Sequence, residues 1–301
     1  MSSKAWFKSA APRLIRKFAV EGKLQQPRRS VEVWTTTCIV ENFGKRRGRP
    51  KNAQCAGADC SVLINPANSS LSGPHDFPYF PKGGPVPKDQ PLKEAHHIMG
   101  YVTQWGGMEV EGGMMFDALV VDGLVHKLGG MRLRAECKVK SFAAAARGSQ
   151  HACPVGAAVV TGPGGKRLRN EYDSIVHTVP PFYAHHTEGG DAVDLLRGCY
   201  QSSLDLAFGK SATQTVKVGI PLLGAGCRGF PSDIALQVAG QESYRWMTNS
   251  SPIETMTSVS GLAESKDEYE YENVLAFGVL EDDIALSLIN AIEESQAMVD
   301  E

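Results

Sequence analysis

Three glycines follow a predicted buried strand late in the chain and precede a helix. The strand covers residues 216–223, the loop reads GAGCRGFP, and the helix begins near Ser232. Glycines let a backbone turn tightly and approach a ligand, and the first N–H groups of a helix attract phosphate. The spacing of Gly224, Gly226 and Gly229 therefore predicts a diphosphate-binding loop, although a plain glycine turn has the same composition.

Two asparagines end a second buried strand, in the segment LINPANSSLSG at 63–73. Ligands of open α/β sheets bind beyond the carboxyl ends of the strands, and an asparagine amide both donates and accepts hydrogen bonds. Asn65 and Asn68 are therefore candidate contacts to ribose hydroxyls. An Asx turn that ends the strand is the alternative interpretation.

An aspartate and a histidine are four residues apart in VDGLVHKLGG at 121–130. If this segment opens a helix, Asp122 and His126 lie on the same face. A carboxylate that positions water beside a histidine suits hydrolysis, but a pair of this kind on its own is more often structural.

The chain also contains the elements needed to position these residues. Strand-like segments rich in β-branched residues alternate with helical patterns. Strands are predicted at 31–40, 61–64, 157–162, 174–179, 216–223 and 274–280, and helices at 191–208, from about 232, and at 284–294. This alternation predicts a three-layer α/β domain.

The glycine spacing also fits a dinucleotide-binding fold, which needs an acidic residue about 20 positions later, at the end of the next strand. The next predicted strand is 274–280, and its acids are Glu281 and Asp282. They are too distant, so the sequence disfavours a dehydrogenase.

The composition is that of an ordinary globular protein. The chain has 301 residues, 42% hydrophobic and 21% charged, which excludes wholesale disorder. No apolar run is long enough to predict a transmembrane helix. The seven cysteines are widely spaced and odd in number, which favours reduced thiols and an intracellular compartment, the cytoplasm or nucleus.

Charge is segregated along the chain. Residues 1–51 hold 13 Lys and Arg against 3 Asp and Glu, whereas residues 261–301 hold 1 against 12. The first twenty residues contain no acid, and Phe7, Ala11, Leu14 and Phe18 share one helical face. This pattern predicts either a mitochondrial transit peptide or a packed basic helix.

Two further segments lie outside the regular elements. KRRGRPK at 45–51 is similar to the core of an AT-hook, which binds a narrow minor groove, but a basic loop without a partner has the same composition. Six prolines between residues 74 and 91 predict a long insertion at about 74–119.

Together and in this order, the segments resemble a macro domain, the ADP-ribose-binding α/β/α module, and are most similar to the MacroD type. LINPANSSLSG resembles the family's VNAAN motif, VDGLVHKLGG its VDGAIHRAAG segment, SIVHTVPP its VIHTVGP strand, and IPLLGAGCRGFP its second ligand loop. The resemblance implies a three-layer α/β/α sandwich with a mixed, mostly parallel sheet. The implied organisation is a basic segment at 1–29, a macro domain at 30–296 and a tail at 297–301.

The resemblance also implies roles for individual residues. Asn65 and Asn68 would contact the distal ribose, Asp122 would position or activate water, and His126 would support the same loop. The diphosphate and the adjoining ribose would be contacted by Gly224, Ala225, Gly226, Cys227, Arg228, Gly229 and Phe230. Neither a metal nor a cofactor is implied. The expected partners are ADP-ribose or mono-ADP-ribosylated proteins, and the expected state is a monomer.

Three departures from the family pattern keep alternatives open. Leu119, Val120 and Val121 replace the glycine run before VDG. Thr36 and Thr37 stand near the place of the aspartate that reads adenine. Val279 stands at the place of the aromatic residue that stacks on adenine, with Phe277 close to it. A hydrolase of ADP-ribosyl linkages and a non-catalytic ADP-ribose reader are both compatible with this sequence. A nucleic-acid-associated module that works through residues 1–51 is the third alternative.

Overall fold

The structure of the chain is a computed structural model. It describes residues 11–20, 27–45, 58–73, 109–110, 113–114, 121–183, 186, 190–209, 215–226, 228–248 and 271–300.

A mixed seven-stranded sheet forms the middle layer. The strands within the described residues are β1 (Arg13–Val20), β2 (Arg28–Thr35), β3 (Val62–Pro66), β4 (Glu109–Val110), β5 (Gly113–Met114), β6 (Ala158–Thr161), β7 (Ser174–Thr178), β8 (Val216–Pro221) and β9 (Glu272–Val279). The sheet has the order β1-β2-β9-β8-β3-β7-β6. Only its two edge strands, β1 and β6, are antiparallel to their neighbours among the described residues. The expected mixed, mostly parallel sheet is therefore confirmed.

Helices cover both faces of the sheet. They are α1 (Ile39–Asn42), α2 (Val121–Ala146), α3 (Lys166–Arg169), α4 (Gly190–Phe208), α5 (Ser232–Thr248) and α6 (Asp282–Asp300). Residues of α4, α5 and α6 share one buried core with the sheet, and residues of α1, α2 and α3 share the other. The three-layer α/β/α sandwich is confirmed.

The central strands are apolar on both faces, as expected of parallel strands covered by helices. In β3, Val62 and Ile64 belong to the core beneath α4–α6, whereas Leu63 belongs to the core beneath α1–α3. This alternation fixes the register of β3, because a slip of one residue would exchange the two faces.

The predicted N-terminal helix is wrong where the structure describes it. Arg13–Val20 is a strand, β1, that pairs with β2 in antiparallel register. Ile15, Phe18 and Val20 pack against the core beneath α4–α6, and an irregularity between Leu14 and Arg16 shifts the alternation. Pairing with β2 thus overrides a weak helical pattern. Residues 1–10 lie outside the described residues, so the transit-peptide interpretation stays a prediction.

Three predicted boundaries also shift. The sheet begins at Arg13 and not at residue 30, and α6 continues to Asp300 through most of the expected tail. The strand predicted at 31–40 ends at Thr35, and α1 follows it. The Asn42 side-chain amide donates to Thr36 Oγ1 at 3.0 Å, which stabilises the turn between them.

Little of the two irregular segments is described. Of the predicted insertion at 74–119, the structure describes β4 and β5, which pair antiparallel. Of KRRGRPK it describes Lys45, which forms an ion pair with Asp173 at 2.6 Å. The described cysteines are free, namely Cys38, Cys60, Cys137, Cys153 and Cys199. Within the described residues, no helix is both long and apolar enough to cross a membrane.

Close packing of α5 against α6 yields a stability prediction. A Cβ on Gly240 would lie 2.6 Å from the backbone of Ala291. Helix propensity alone favours alanine over glycine by about 1 kcal/mol. We expect Gly240→Ala to lower the free energy of unfolding by about 1–3 kcal/mol instead, because the added methyl group overpacks the contact between α5 and α6. Urea unfolding measures this change. The exposed substitution Gln237→Ala on the same helix is the control, and equal stability of the two variants would contradict the packing account.

Candidate functional site

The carboxyl ends of β3, β7 and β8 meet at one edge of the sheet, because these strands are parallel neighbours. Asn65 and Asn68 lie at the end of β3, and the loop from Gly224 to Gly229 follows β8. Asp122 lies in the first turn of α2, beside the end of β3. The structure thus brings the three sequence-predicted groups to the same edge.

Asn65 is the centre of a buried polar network. Its side chain is fully buried, and its Nδ2 donates to Asp122 Oδ1 at 2.7 Å. The same Nδ2 lies 3.1 Å from His177 Nδ1. An amide nitrogen carries two hydrogens, so both contacts are satisfied together when His177 Nδ1 is an acceptor.

His177 extends this network to the edge strand β6. Its Nε2 lies 2.9 Å from Thr161 Oγ1, and both side chains are buried. Burial, and to a lesser degree the neighbouring His126, lowers the pKa of His177 to about 3. The ring is therefore neutral, with Nδ1 accepting from Asn65 and Nε2–H donating to Thr161.

His126 also lies beside Asp122. Its Nε2 is 3.5 Å from Asp122 Oδ1, and its side chain is 1% exposed. The loop after β3 closes over its ring at Gly73, where φ is +82° and a Cβ would lie 3.0 Å from His126 Cγ. Only glycine meets both requirements at this position. The expected side-by-side placement of Asp122 and His126 is observed.

The Asn68 side chain makes hydrogen bonds within its own loop. Its Oδ1 accepts from Ser70 Oγ at 2.8 Å and from the Ser72 backbone N–H at 3.2 Å. Its Nδ2 donates to the Gly73 carbonyl at 3.2 Å. These contacts are those of the Asx-turn alternative. The proposed contact of Asn68 with a ribose stays a prediction.

Arg228 joins the two predicted ligand loops. Its Nη2 donates to the Ala67 carbonyl after β3 at 2.7 Å, and its guanidinium lies 4.3 Å from the centre of the Phe182 ring. The Arg228 carbonyl also accepts from the Tyr183 backbone N–H at 2.9 Å. Arg228 therefore ties together the loops that follow β3, β7 and β8.

The loop after β8 is a compact turn. Gly224 and Gly229 have φ values of +83° and +70°, which glycine adopts without strain. The Phe230 backbone N–H donates to the Gly224 carbonyl at 3.2 Å. The Phe230 ring is buried and packs on Tyr183, 5.0 Å between centres. Ala225 is partly buried within this loop, and Cys227 lies outside the described residues.

The carboxyl edge of the sheet extends to the segment that the family resemblance places near adenine. The Thr36 backbone N–H donates to the Val279 carbonyl at 2.8 Å, so these two residues are neighbours. Val279 and Phe277 are buried in the core beneath α4–α6. Burial of Phe277 removes it as a ring that could stack on a base at the surface.

Asp122, His126 and His177 could also hold a cation. Each offers a ligand atom, and these atoms lie within 4.8 Å of one another. The Asn65 amide, however, donates its hydrogens to two of the three residues. The donor set therefore fits a hydrogen-bonded network better than a metal centre.

Known proteins with similar sequences indicate the family of this chain. The sequence model of the Macro domain family matches residues 114–239. A protein of Pantoea vagans named O-acetyl-ADP-ribose deacetylase 1 is 32% identical over 149 residues, which cover 50% of this chain and 78% of that protein. The chain belongs to the macro domain family.

Two further macro domains are similar to this chain. A macro domain-containing protein of Methanosarcina mazei is 31% identical over 136 residues; the match covers 45% of this chain and only 63% of that protein. Among solved structures, a variant of the Oceanobacillus iheyensis macrodomain aligns with a TM-score of 0.53 at 14% identity, covering 98% of each chain. This last likeness shows the fold alone.

Sequence reasoning missed two members of the network in this macro domain. Thr161 and His177 lie in segments that were predicted only as strands. The available sequence signal was a histidine and a threonine within strands that are otherwise apolar. A period-two pattern does not show whether such a polar side chain is buried or exposed.

The buried, neutral His177 generates a prediction of pH-dependent stability. Its pKa is lowered from 6.5 to about 3 in the folded protein, so between these values the unfolded chain binds a proton that the folded chain does not. The free energy of unfolding therefore falls as the pH falls from 6.5 towards 3.

We expect His177→Leu to make this pH dependence shallower, by up to about 1.4 kcal/mol per pH unit. Urea unfolding at a series of pH values from 7 to 4 measures the slope. The exposed His151→Gln provides the control and should keep the slope of the unaltered protein. Identical slopes for all three proteins would show that His177 is not held neutral.

Proposed function

We propose that this macro domain binds ADP-ribose, free or attached to a protein, at the carboxyl edge of its parallel strands. The observation that carries the proposal is the Arg228–Ala67 hydrogen bond, which joins two loops that the sequence predicts separately as ligand loops. With the loops joined, the glycine turn and Asp122, which accepts from the buried Asn65 amide, lie at the same edge of the sheet.

The glycine turn leads into α5, which begins at Ser232. The N-terminus of a helix of this length favours an anion such as a diphosphate. In the proposed complex the diphosphate lies against residues 224–229, and the distal ribose lies towards Asn68 and Asp122.

We further propose that the site hydrolyses esters of ADP-ribose. Support comes from Asp122, a carboxylate aligned by Asn65 and adjacent to His126, and from the deacetylase name of the Pantoea vagans relative. Asp122 positions the water, whose oxygen bonds to the acyl carbon. The ester C–O bond breaks, a proton passes to the ribose oxygen, and the products are a carboxylic acid and ADP-ribose.

A non-catalytic reader is the second candidate function. It is favoured by Asn68, whose amide is already used within its own loop, and by the low exposure of Asp122, 8%. A reader binds ADP-ribose but releases none from a modified protein.

Turnover by Asp122→Ala separates the two functions. If Asp122 positions water, we expect the variant to lose roughly 100-fold or more of the hydrolysis rate while its affinity for ADP-ribose changes little. The measurement is release of ADP-ribose from a mono-ADP-ribosylated protein and of acetate from O-acetyl-ADP-ribose.

Asp191→Ala is the matched control, since Asp191 is an exposed carboxylate in the first turn of α4. Undiminished turnover in Asp122→Ala would remove Asp122 from the mechanism. Binding without turnover in the unaltered protein would instead favour the reader.

A further inference from the structure

Asn65 and His177 face each other directly across two central strands. In the parallel register of β3 and β7, Asn65 pairs with His177. Val159 of β6 pairs with His177 on the other side, and Thr161 lies two residues further along β6. The backbone therefore sets the order Thr161, His177, Asn65 across three strands, with Asp122 of α2 next to Asn65.

Thr161, His177, Asn65 and Asp122 thus form a hydrogen-bonded row. The hydrogen bonds of this row have one consistent direction. An ionised Asp122 only accepts hydrogen bonds, so the Asn65 amide must present its nitrogen to Oδ1. Its second N–H then points at His177 Nδ1, 3.1 Å away, which must accept. His177 consequently carries its proton on Nε2 and donates to Thr161 Oγ1.

Reversal of the Asn65 amide would place its oxygen 2.7 Å from the Asp122 carboxylate oxygen. Two acceptors at that distance repel each other, and burial of Asn65 and His177 strengthens the repulsion. His177 completes this arrangement as the tautomer with its proton on Nε2, because its Nδ1 then accepts the second N–H of Asn65. Asp122 therefore sets the direction of the Asn65 amide, and His177 holds the amide in that direction.

We propose that His177, held by Thr161, is a positioning residue for the site: it fixes the Asn65 amide, which in turn orients Asp122 towards the substrate. This inference rests on the proposed function for its consequence in catalysis. Its geometric content, the direction of the row, is independent of that function.

Three substitutions in the full chain test the consequence. Thr161→Val removes one hydrogen bond at constant shape, His177→Leu removes the acceptor for Asn65, and His177→Asn restores an acceptor oxygen near the position of Nδ1. We expect kcat to fall roughly 3- to 10-fold for Thr161→Val and more than about 10-fold for His177→Leu, since hydrogen bonds of this kind carry such factors. The His177→Asn variant should regain most of the loss.

The change should fall on kcat and leave KM within about 3-fold, because the row contacts Asp122 and not the diphosphate loop. Thr178→Val is the matched control. Thr178 is also a buried threonine, next to His177 on β7, but its hydroxyl donates to the Ala157 carbonyl. If Thr161→Val and Thr178→Val lower kcat equally, or if KM changes as much as kcat, the role of the row is structural and the proposal is overturned.

Imidazole ¹⁵N NMR of the unaltered protein tests the direction of the row without any turnover. We expect His177 to be neutral with its proton on Nε2, and we expect Asp122→Ala to weaken that preference because the amide is then free to reverse. A proton on Nδ1 of His177 in the unaltered protein would overturn the proposal.

The kinetic and NMR measurements together distinguish failure of the proposed hydrolysis from failure of the proposed row. If the protein binds ADP-ribose without hydrolysing it, the proposed hydrolysis fails. The NMR measurement alone then decides whether the row has the proposed hydrogen-bond direction. If His177→Leu does not fold, Thr161→Val against Thr178→Val carries the kinetic comparison.

Discussion

The site depends on the buried amide nitrogen of Asn65, at the end of the central strand β3, whose two hydrogens need acceptors. Asn65 is fully buried, and an amide nitrogen left without an acceptor there would cost about 1–3 kcal/mol. Its nitrogen meets Asp122 from α2 and His177 from β7. Pairing this nitrogen therefore aligns a helix, two strands and the buried carboxylate of Asp122 at the carboxyl edge.

The same contact joins parts of the chain that are far apart in sequence. Asn65 and Asp122 are separated by 57 positions, and most of the residues between them belong to the segment at 74–119. The entropic cost of closing a loop grows only with the logarithm of its length. A long segment can therefore be placed between Gly73 and Val121 while β3 and α2 keep their contact. Arg228 provides a second connection at the same edge, through Ala67 and Phe182.

Much of the architecture could be predicted because most elements have strong local signals. The apolar runs at β3, β8 and β9 and the helical pattern of α4 lie within a few residues of their predicted bounds. The strand β1 was missed because its apolar residues at 14 and 18 fit a helical period, and only pairing with β2 decides between the two. The turn α1 was missed because Thr36 and Asn42 contact each other through side chains that a propensity pattern ignores.

The site was predicted as separate groups and not as a network. Motifs indicated Asn65, Asp122 and the glycine turn, but the Asn65–Asp122 bond depends on how α2 packs beside β3. His177 and Thr161 could not be found from sequence alone, since a polar residue on a buried strand has a role only through its cross-strand neighbour. The β3–β7 register supplies that neighbour.

The central claim is that the loops after β3 and β8 form one ADP-ribose site, and calorimetric titration of the full chain tests it most directly. The account predicts saturable one-to-one binding of ADP-ribose. Binding of AMP, which lacks the diphosphate and the distal ribose, should be at least roughly tenfold weaker. Absence of ADP-ribose binding, or equal affinity for the two nucleotides, would contradict it.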